Sequence, residues 1–355
     1  MSAVIRLDLQ ALAHNVEQAR DYAPESKLIA VIKANAYGHG AVLVAETLKN
    51  SVDMLAVACM TEAIQLRKAQ VSTAILVLQG VNTATELSLA YEYDLNIVVH
   101  AEHQIGLLEN DKRKGLNLWL KCDTGMNRLG FSADMFKPAL QRLLIMKHDI
   151  SVMTHFSNAD DLDDNKTTQQ IQLFHQLTKG FTGEKSCANS AGIIAWPTSH
   201  YQWVRSGTML YGASPMLSQS AQQLNLKPVM NFQATVIAIK SLKKGDTVGY
   251  GSTWVASKAT RIAVVSAGYG DGYPRHTREN TPVLIKGQRY PLVGRVSMDM
   301  LTVDIADNDI VIGDKVLLWG AGLPVEEIAG YANTIGYTLL CGITRRVAVQ
   351  ILDEQ

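Results

Sequence analysis

Between Leu28 and about Gly212 the chain repeats one pattern: a short apolar run followed by a stretch of helical period. The apolar runs fall at 28–32, 54–58, 74–78, 95–99, 116–121, 150–154, 185–188 and 201–205. A run such as Leu28 to Ile32 is apolar without alternation, which suits a strand of a parallel sheet buried on both faces. The helical stretches, among them 39–49, 61–69, 83–93, 135–147 and 167–179, are long enough to serve as crossovers. About eight strands is what a (β/α)8 TIM barrel needs, and the spacing suits a closed barrel better than an open doubly wound sheet.

After about Leu226 the texture changes to short strand-like runs such as TRIAVV and DKVLLW, separated by Gly, Asp, Asn and Pro turns. This predicts a smaller, mostly-β domain over 226–355 behind a barrel domain of 1–225, with the first few residues left able to pair with the second domain. The polar stretch 217–228 reads as the connection.

At 355 residues the chain is long enough for both, and 33 basic against 33 acidic residues give no bias toward nucleic acid or an anionic membrane. The amino-terminal segment lacks the apolar core of a signal peptide, and no apolar run approaches the roughly 20 residues that span a bilayer. The expectation is a cytoplasmic protein. Cys59, Cys122, Cys187 and Cys341 form no CxxC pair, and buried free thiols in a reducing compartment fit best.

Polar residues on the predicted barrel gather at one end. Lys33, Lys121 with Asp123, His155, Asn189 with Ser190, and Arg205 all fall at or just past the carboxyl ends of different strands, the face where barrel enzymes collect their catalytic groups. Lys33 follows a buried strand directly. In a partly dry cleft its amine loses pKa and can form a Schiff base with an aldehyde, whereas the plainer reading is a lysine snorkelling at a strand end. Around the seventh and eighth strand ends stand Asn189, Ser190, Ala191 and Gly192, then Ser206, Gly207 and Thr208, small residues whose backbone N–H groups can approach a phosphate. A phosphate cradle, an aldehyde-seeking lysine and a barrel together suggest pyridoxal phosphate. No GxxxxGK is present, and GYGDGYP does not match GxGxxG.

Two clusters that invite metal readings are set aside. HAEH at 100–103 lacks a third ligand, and the acidic run Asp160 to Asp164 lacks the central glycine and terminal glutamate of a calcium loop. Capping of the following helix suits the acidic run better.

The chain resembles the alanine racemases over nearly its whole length. The resemblance is carried by AVIKANAYGHG at 30–40, LKCDTGMNRLGF at 120–131, MTHFSNAD at 153–160, ANSAG at 188–192, WVRSGTMLYG at 203–212, SAGYGDGYPR at 266–275 and VGRVSMDM at 293–300. It implies a pyridoxal-phosphate enzyme in which Lys33 holds the cofactor and acts as base on one face of Cα. Tyr269 matches the second catalytic residue, which in the family reaches the site from the partner subunit, so an obligatory homodimer follows. A phenol near pKa 10 needs cationic neighbours to act as a base near neutrality, and Arg205 and His155 match residues that could transmit that influence. Arg205 also matches the partner of the cofactor's pyridine nitrogen. Offering only donors, it requires an unprotonated ring nitrogen, a weaker electron sink that favours return of the proton to Cα over transamination.

The resemblance further implies phosphate contacts from Tyr37 and Ser190 with backbone near Gly207 and Thr208, and it places His155 and Asn189 around the cofactor. Arg128 would stand near the substrate carboxylate, with Met298 and Asp299 on the carboxylate-side loop of the other subunit. Lys121 matches a lysine carbamylated in many relatives, and Tyr250 a residue of the substrate entrance, though Gly249 and Gly251 equally suit a tight turn. Ser206 stands where many relatives have proline. Arg345 stands where some supply a tyrosine to the phosphate, which puts that contact in doubt. The expected activity is interconversion of L- and D-alanine, supplying D-alanine for peptidoglycan or serving alanine catabolism, with no metal. A serine or broad-spectrum amino-acid racemase on the same scaffold is the nearest alternative. A non-catalytic pyridoxal-phosphate-binding protein is the alternative of another class, and it would have no use for a second base at Tyr269.

Overall fold

The computed structural model describes residues 3–352, which divide into two compact units. The larger, residues 13–210 with 214–226, is a closed barrel of eight parallel strands. In chain order, after β1 (Val4–Leu7), these are β2 (Lys27–Val31), β3 (Met54–Val57), β4 (Ile75–Val77), β5 (Leu95–Val99), β6 (Asn117–Lys121), β7 (Asp149–Met153), β8 (Lys185–Ser186) and β9 (Trp203–Ser206). All eight apolar runs became barrel strands, because an uninterrupted apolar run can be buried on both faces only where helices cover the sheet. Every residue of β5 is buried, for example. The barrel closes where β9 pairs with β2, with Ile29 opposite Arg205 and Ala30 opposite Ser206.

Helices Ala41–Leu48, Met60–Lys68, Ala84–Glu92, Ala133–Ile145 and Lys166–Leu177 lie within two residues of the predicted crossovers. Ahead of the last of these, Asp164 accepts the Lys166 N–H at 2.8 Å in a local turn, while the N-cap itself is Asn165 and makes no side-chain cap bond, so the capping expected of the acidic run is not formed. The HAEH residues spread over separate partners: His100 meets Gln79 O, His103 meets Asn82 Oδ1, and Glu102 pairs with Arg142.

The second unit holds the remaining strands, β10 (Met230–Leu242), β11 (Thr247–Val248), β12 (Trp254–Val255), β13 (Thr260–Val265), β14 (Pro282–Ile285), β15 (Gln288–Pro291), β16 (Leu301–Asp304), β17 (Lys315–Trp319) and β18 (Ala348–Ile351). Its main sheet runs β15-β14-β17-β10-β1-β18, with β13 on β10 and β16 on β13. The first strand of the chain therefore sits inside this unit: Val4 lies opposite Gln233 of β10 in antiparallel register and beside Ala348 of β18 in parallel register. The reason lies in its alternation. Ile5 and Leu7 are buried while Val4 and Arg6 are half-exposed, the period of two that fits an antiparallel sheet rather than a doubly covered barrel strand. Trp319 anchors the core, tilted on Phe232 at 4.6 Å and stacked on Tyr273 at 6.0 Å between ring centroids.

Cys122 and Cys187 are buried, whereas Cys59 is half-buried and Cys341 exposed at the end of the short helix Gly336–Cys341. Among the described residues no helix is long and apolar enough to cross a membrane. Replacing Ile5, which is 1% exposed, with alanine should lower the unfolding free energy by about 2–5 kcal/mol. Hydrogen exchange should localise the loss to β10 and β18, with the barrel amides left protected.

Candidate functional site at the carboxyl end of the barrel

Barrel closure brings the first and last βα turns side by side. Because Ala30 pairs with Ser206, the residues just beyond β2, Lys33 to Tyr37, stand next to those just beyond β9, Gly207 and Thr208. The contact is close: a Cβ on Gly207 would come within 2.9 Å of the Tyr37 hydroxyl, so only a glycine leaves the phenol room.

The turn after β2 departs from a simple small-residue turn. Ala34, Asn35, Ala36 and Tyr37 all have φ between +51° and +54°, one turn of left-handed helix, ended by Gly38 at φ +82°. Each left-handed non-glycine residue costs about 1–2 kcal/mol, least for asparagine. The turn is held by polar contacts on every side. Glu62 accepts the Ala34 N–H at 2.7 Å and the Ala58 N–H at 2.7 Å, and Asn35 Oδ1 accepts the Ala41 N–H at 2.9 Å. His39 Nδ1 lies 2.9 Å from both Ala36 O and Tyr37 O, so it carries the proton. Burial pulls this imidazole down to about 4 against those two hydrogen bonds, keeping it neutral. Sequence reasoning missed both the left-handed turn and Glu62. The available signals were Asn35 between alanines and an acidic residue at the third position of its helix.

Around the barrel mouth the structure collects cations. His155 is held well below its ordinary pKa, first by burial and then by Arg205, Lys121, Arg128 and Lys33. Lys121, 9% exposed, is lowered to about 8 by burial, Arg205, Arg128 and Lys33, with Asp123 opposing. Arg205 is pulled by burial down to about 10, so it stays protonated at neutral pH. Its guanidinium donates through Nη1 to Ser186 Oγ at 2.6 Å and through Nη2 to Thr154 O at 2.6 Å and Cys187 O at 3.0 Å. Nη2 also lies 3.3 Å from His155 Nδ1. Since arginine can only donate, Nδ1 accepts and the neutral imidazole carries its proton on Nε2. Asp123 shapes the loop that carries Arg128 by accepting the N–H groups of Gly125, Met126 and Asn127 at 2.8–3.1 Å. Four cations within mutual electrostatic reach of one neutral histidine make a strongly anion-seeking mouth.

Beside it lies a cradle. Ser190 Oγ accepts the Gly207 N–H at 2.9 Å, which leaves its own O–H to donate elsewhere, and the buried hydroxyls of Thr208 and Ser206 have no hydrogen-bond partner. Asn189 is engaged structurally: its Oδ1 accepts the Gly192 N–H at 3.0 Å and its amide donates to Phe156 O at 3.4 Å, capping the turn that presents Ser190. Orphaned hydroxyls beside a glycine and a tyrosine fit a phosphate-bearing group.

Tyr269, Met298 and Asp299 belong to the second unit. Tyr269 is 37% exposed, and the guanidinium of Arg275, a cation the sequence reading overlooked, lies 5.4 Å from its ring centroid. The Tyr269 N–H donates to Ser297 O at 3.0 Å. A Cβ on Gly268 would strike Ser297 O at 2.2 Å, so the glycine permits this loop contact. Gly249, Tyr250 and the 297–300 loop line an open cleft on this unit, with Gly249 and Gly251 both at φ +74° in the tight turn around Tyr250. Arg345 is exposed on the same unit.

Fold and site thus define a (β/α)8-barrel enzyme built around a strand-end lysine, a cationic mouth and an anion cradle. The profile of the alanine racemase N-terminal domain matches residues 7–215 and that of the alanine racemase C-terminal domain residues 229–351. Alanine racemase of Shewanella denitrificans is 44% identical over 97% of both chains, and that of Aeromonas hydrophila 45% identical over 98% of this chain and 99% of its own. The crystal structure of biosynthetic alanine racemase from Pseudomonas aeruginosa superposes with a TM-score of 0.96 at 41% identity, covering 99% of this chain and 100% of its own. A structure from Bartonella henselae, described with covalently bound pyridoxal phosphate, gives 0.88 at 27% identity, covering 99% and 100%. The chain belongs to the alanine racemase family, and its reaction is the interconversion of L- and D-alanine.

The left-handed turn makes a measurable claim. Ala34→Gly, at an exposed position, should raise the unfolding free energy by about 0.5–1 kcal/mol in urea denaturation, the left-handed penalty less the glycine's extra unfolded entropy. Ala34→Val should lower it.

Proposed function

We propose that the chain racemises alanine with pyridoxal phosphate held at the barrel mouth, in a homodimer whose subunits complete each other's sites. The observation that carries this reading is the junction of β2 and β9, where Lys33, Tyr37, Gly207 and Thr208 meet beside the cation cluster. When bound, the cofactor supplies an electron sink that makes the Cα proton of alanine acidic.

The chain's own residues do the rest. Lys33 would hold the cofactor through its amine and would move a proton at one face of Cα. Tyr37, Ser190, Gly207 and Thr208 bind the phosphate, with Asn189 capping the turn that aims Ser190. Arg205, anchored through Nη1 and Nη2, would donate to the pyridine nitrogen, and His155 braces the guanidinium by accepting from Nη2 at Nδ1. Arg128 receives the substrate carboxylate. Tyr269 moves a proton at the opposite face of Cα, assisted by Arg275, and Met298 with Asp299 borders the carboxylate side. The exposure of Tyr269, Met298 at 52% and Met300 at 40% on one loop cluster supports their delivery to a second subunit. Likeness to the biosynthetic alanine racemase of Pseudomonas aeruginosa supports a biosynthetic role, the supply of D-alanine.

Lys33→Ala and Tyr269→Phe dimers should each be inactive, and mixing them under subunit exchange should restore about one working site per heterodimer. Lys33→Ala should also abolish borohydride-reducible cofactor absorbance, and Tyr269→Phe should slow Cα-hydrogen loss from one enantiomer selectively. No recovery despite verified exchange would sink the shared site.

Lys121 is the proposed carbamate. With its pKa near 8 rather than 10.5, about a tenth of the amine is neutral at pH 7, roughly 300-fold more than for an ordinary lysine, and only the neutral amine takes up carbon dioxide. The modification would place an anion among Arg205, Arg128 and Lys33. With 13C-bicarbonate, a carbamate resonance should appear, grow as pH rises from 7 to 9, and vanish in Lys121→Ala.

A further inference from the structure

Family resemblance puts weight on Arg345, but the contacts of its segment belong to Thr344 and Arg346. Arg346 meets Asp271 through two parallel bonds, Nε to Oδ1 at 2.7 Å and Nη2 to Oδ2 at 3.0 Å. Its third nitrogen, Nη1, reaches Asp299 Oδ1 at 2.8 Å. The same Asp271 carboxylate accepts the Gly268 N–H at 2.8 Å, one residue before Tyr269. Thr344 adds Oγ1 to Gly270 O at 2.8 Å and its N–H to Asp271 O at 3.2 Å. Two backbone bonds complete the knot, Tyr269 N–H to Ser297 O at 3.0 Å and Gly270 N–H to Met298 O at 2.8 Å. The guanidinium lies so close over Gly270 that a Cβ there would approach Arg346 Cζ to 3.0 Å.

The two arms of Arg346 differ in character. The Asp271 side chain is 7% exposed and bidentate, the geometry in which an arginine–carboxylate pair is strong and directional. The Asp299 side chain is 56% exposed, and an isolated pair of that kind contributes little. Because one rigid, planar group serves both, the buried arm fixes where the exposed arm finds its donor. A lysine, with a single point charge, cannot span both carboxylates in this way.

We propose that Arg346 is a positioning residue for racemisation, locking the Tyr269 turn through Asp271 and the Met298–Asp299 loop through Asp299 so that the two move as one piece. The inference rests on the reading of Tyr269 as the second base and adds what holds it in place. Loss of the guanidinium misplaces the phenol and the carboxylate-side loop together, and displacements of about 1 Å in such groups cost on the order of 100-fold in rate.

The test compares Arg346→Met, Arg346→Lys and Asp271→Asn in the full-length holoenzyme, with Tyr269→Phe as reference and Arg289→Met, which breaks an exposed pair with Glu327, as a surface control. Amide hydrogen exchange should quicken at Tyr269 and Gly270 by tenfold or more in Arg346→Met, less in Arg346→Lys, and not in Arg289→Met. Cα-hydrogen loss should slow about 10- to 100-fold for the same enantiomer that Tyr269→Phe impairs, with a rise in KM for both enantiomers. Unchanged amides, or equal slowing for the two enantiomers, overturns the proposal. If Tyr269→Phe itself shows no preference between enantiomers, the reading of Tyr269 fails instead, and the amide data still decide whether Arg346 joins the loops. Should Arg346→Met fold poorly, Arg346→Lys and Asp271→Asn carry the same comparison.

Discussion

Everything at the barrel mouth depends on the hydrogen-bonded pairing of β2 with β9. These strands are separated by more than 170 residues of chain, yet Ile29 lies opposite Arg205 and Ala30 opposite Ser206. A shift of one residue along this seam would move Lys33 relative to Gly207 by about 3.3 Å, the rise of a strand residue, and reverse the faces to which neighbouring side chains point. Closure sets the register between the amine and the anion cradle, and the rigidity of a packed barrel keeps it. The left-handed turn then does locally what closure does globally. It reverses the chain within four residues of Lys33, so that Tyr37 reaches back over Gly207.

Strain and like charge are both concentrated here, and each is held by groups that perform no chemistry themselves. Glu62, Asn35 and His39 hold a turn that alanines would otherwise avoid. Ser186, Thr154 and Cys187 surround Arg205 with acceptors, which makes a buried guanidinium tolerable among other cations. The result is a mouth whose positive potential is partly unspent within the barrel unit. Burial first, and that excess second, lower the lysine and the histidine. Anions relieve it, and the phosphate, the substrate carboxylate and a carbamate at Lys121 are three that the proposed reaction would bring.

How much of this was legible in the sequence follows from what kind of signal each feature leaves. The barrel strands were legible because burial on both faces writes an uninterrupted apolar run, and the strand-end positions of Lys33, Lys121, His155 and Arg205 followed by counting. The alternation in Val4 to Leu7 is too short to stand out, so its partners β10 and β18 could be found only in three dimensions. The left-handed turn was hidden because alanine is a strong former of right-handed helix, and a tertiary hydrogen bond to Glu62 with local ones from His39 overrides that propensity. Nothing in the sequence marks the Asn189 side chain as the cap of the turn from which Ser190 Oγ accepts the Gly207 N–H, because that role depends on where Gly192 and Gly207 lie in space. Arg346 sits beside Arg345 with no local mark of its partners Asp271 and Asp299, and the nearness of Arg275 to Tyr269 in sequence does not by itself show that the guanidinium folds back over the ring.

The pairing of Arg205 with His155 bears on what can titrate during turnover. Because the guanidinium can only donate, a proton on His155 Nδ1 would face an N–H at 3.3 Å, and the doubly protonated ring would add a fifth charge to the cluster. Burial and four neighbouring cations oppose that charge, so the imidazole stays neutral throughout the neutral range. His155 therefore acts as an oriented dipole and not as a proton shuttle. Any influence it transmits comes through the placement of Arg205, and protons exchanged with Cα must be carried by other groups. Within the barrel unit Lys33 is the group whose place on the strand end suits that task, and its counterpart must approach from the face of Cα that Lys33 does not occupy. Racemisation needs both faces served. One amine on a closed barrel serves only one, and the counterpart we propose is the exposed phenol of Tyr269 beside Arg275.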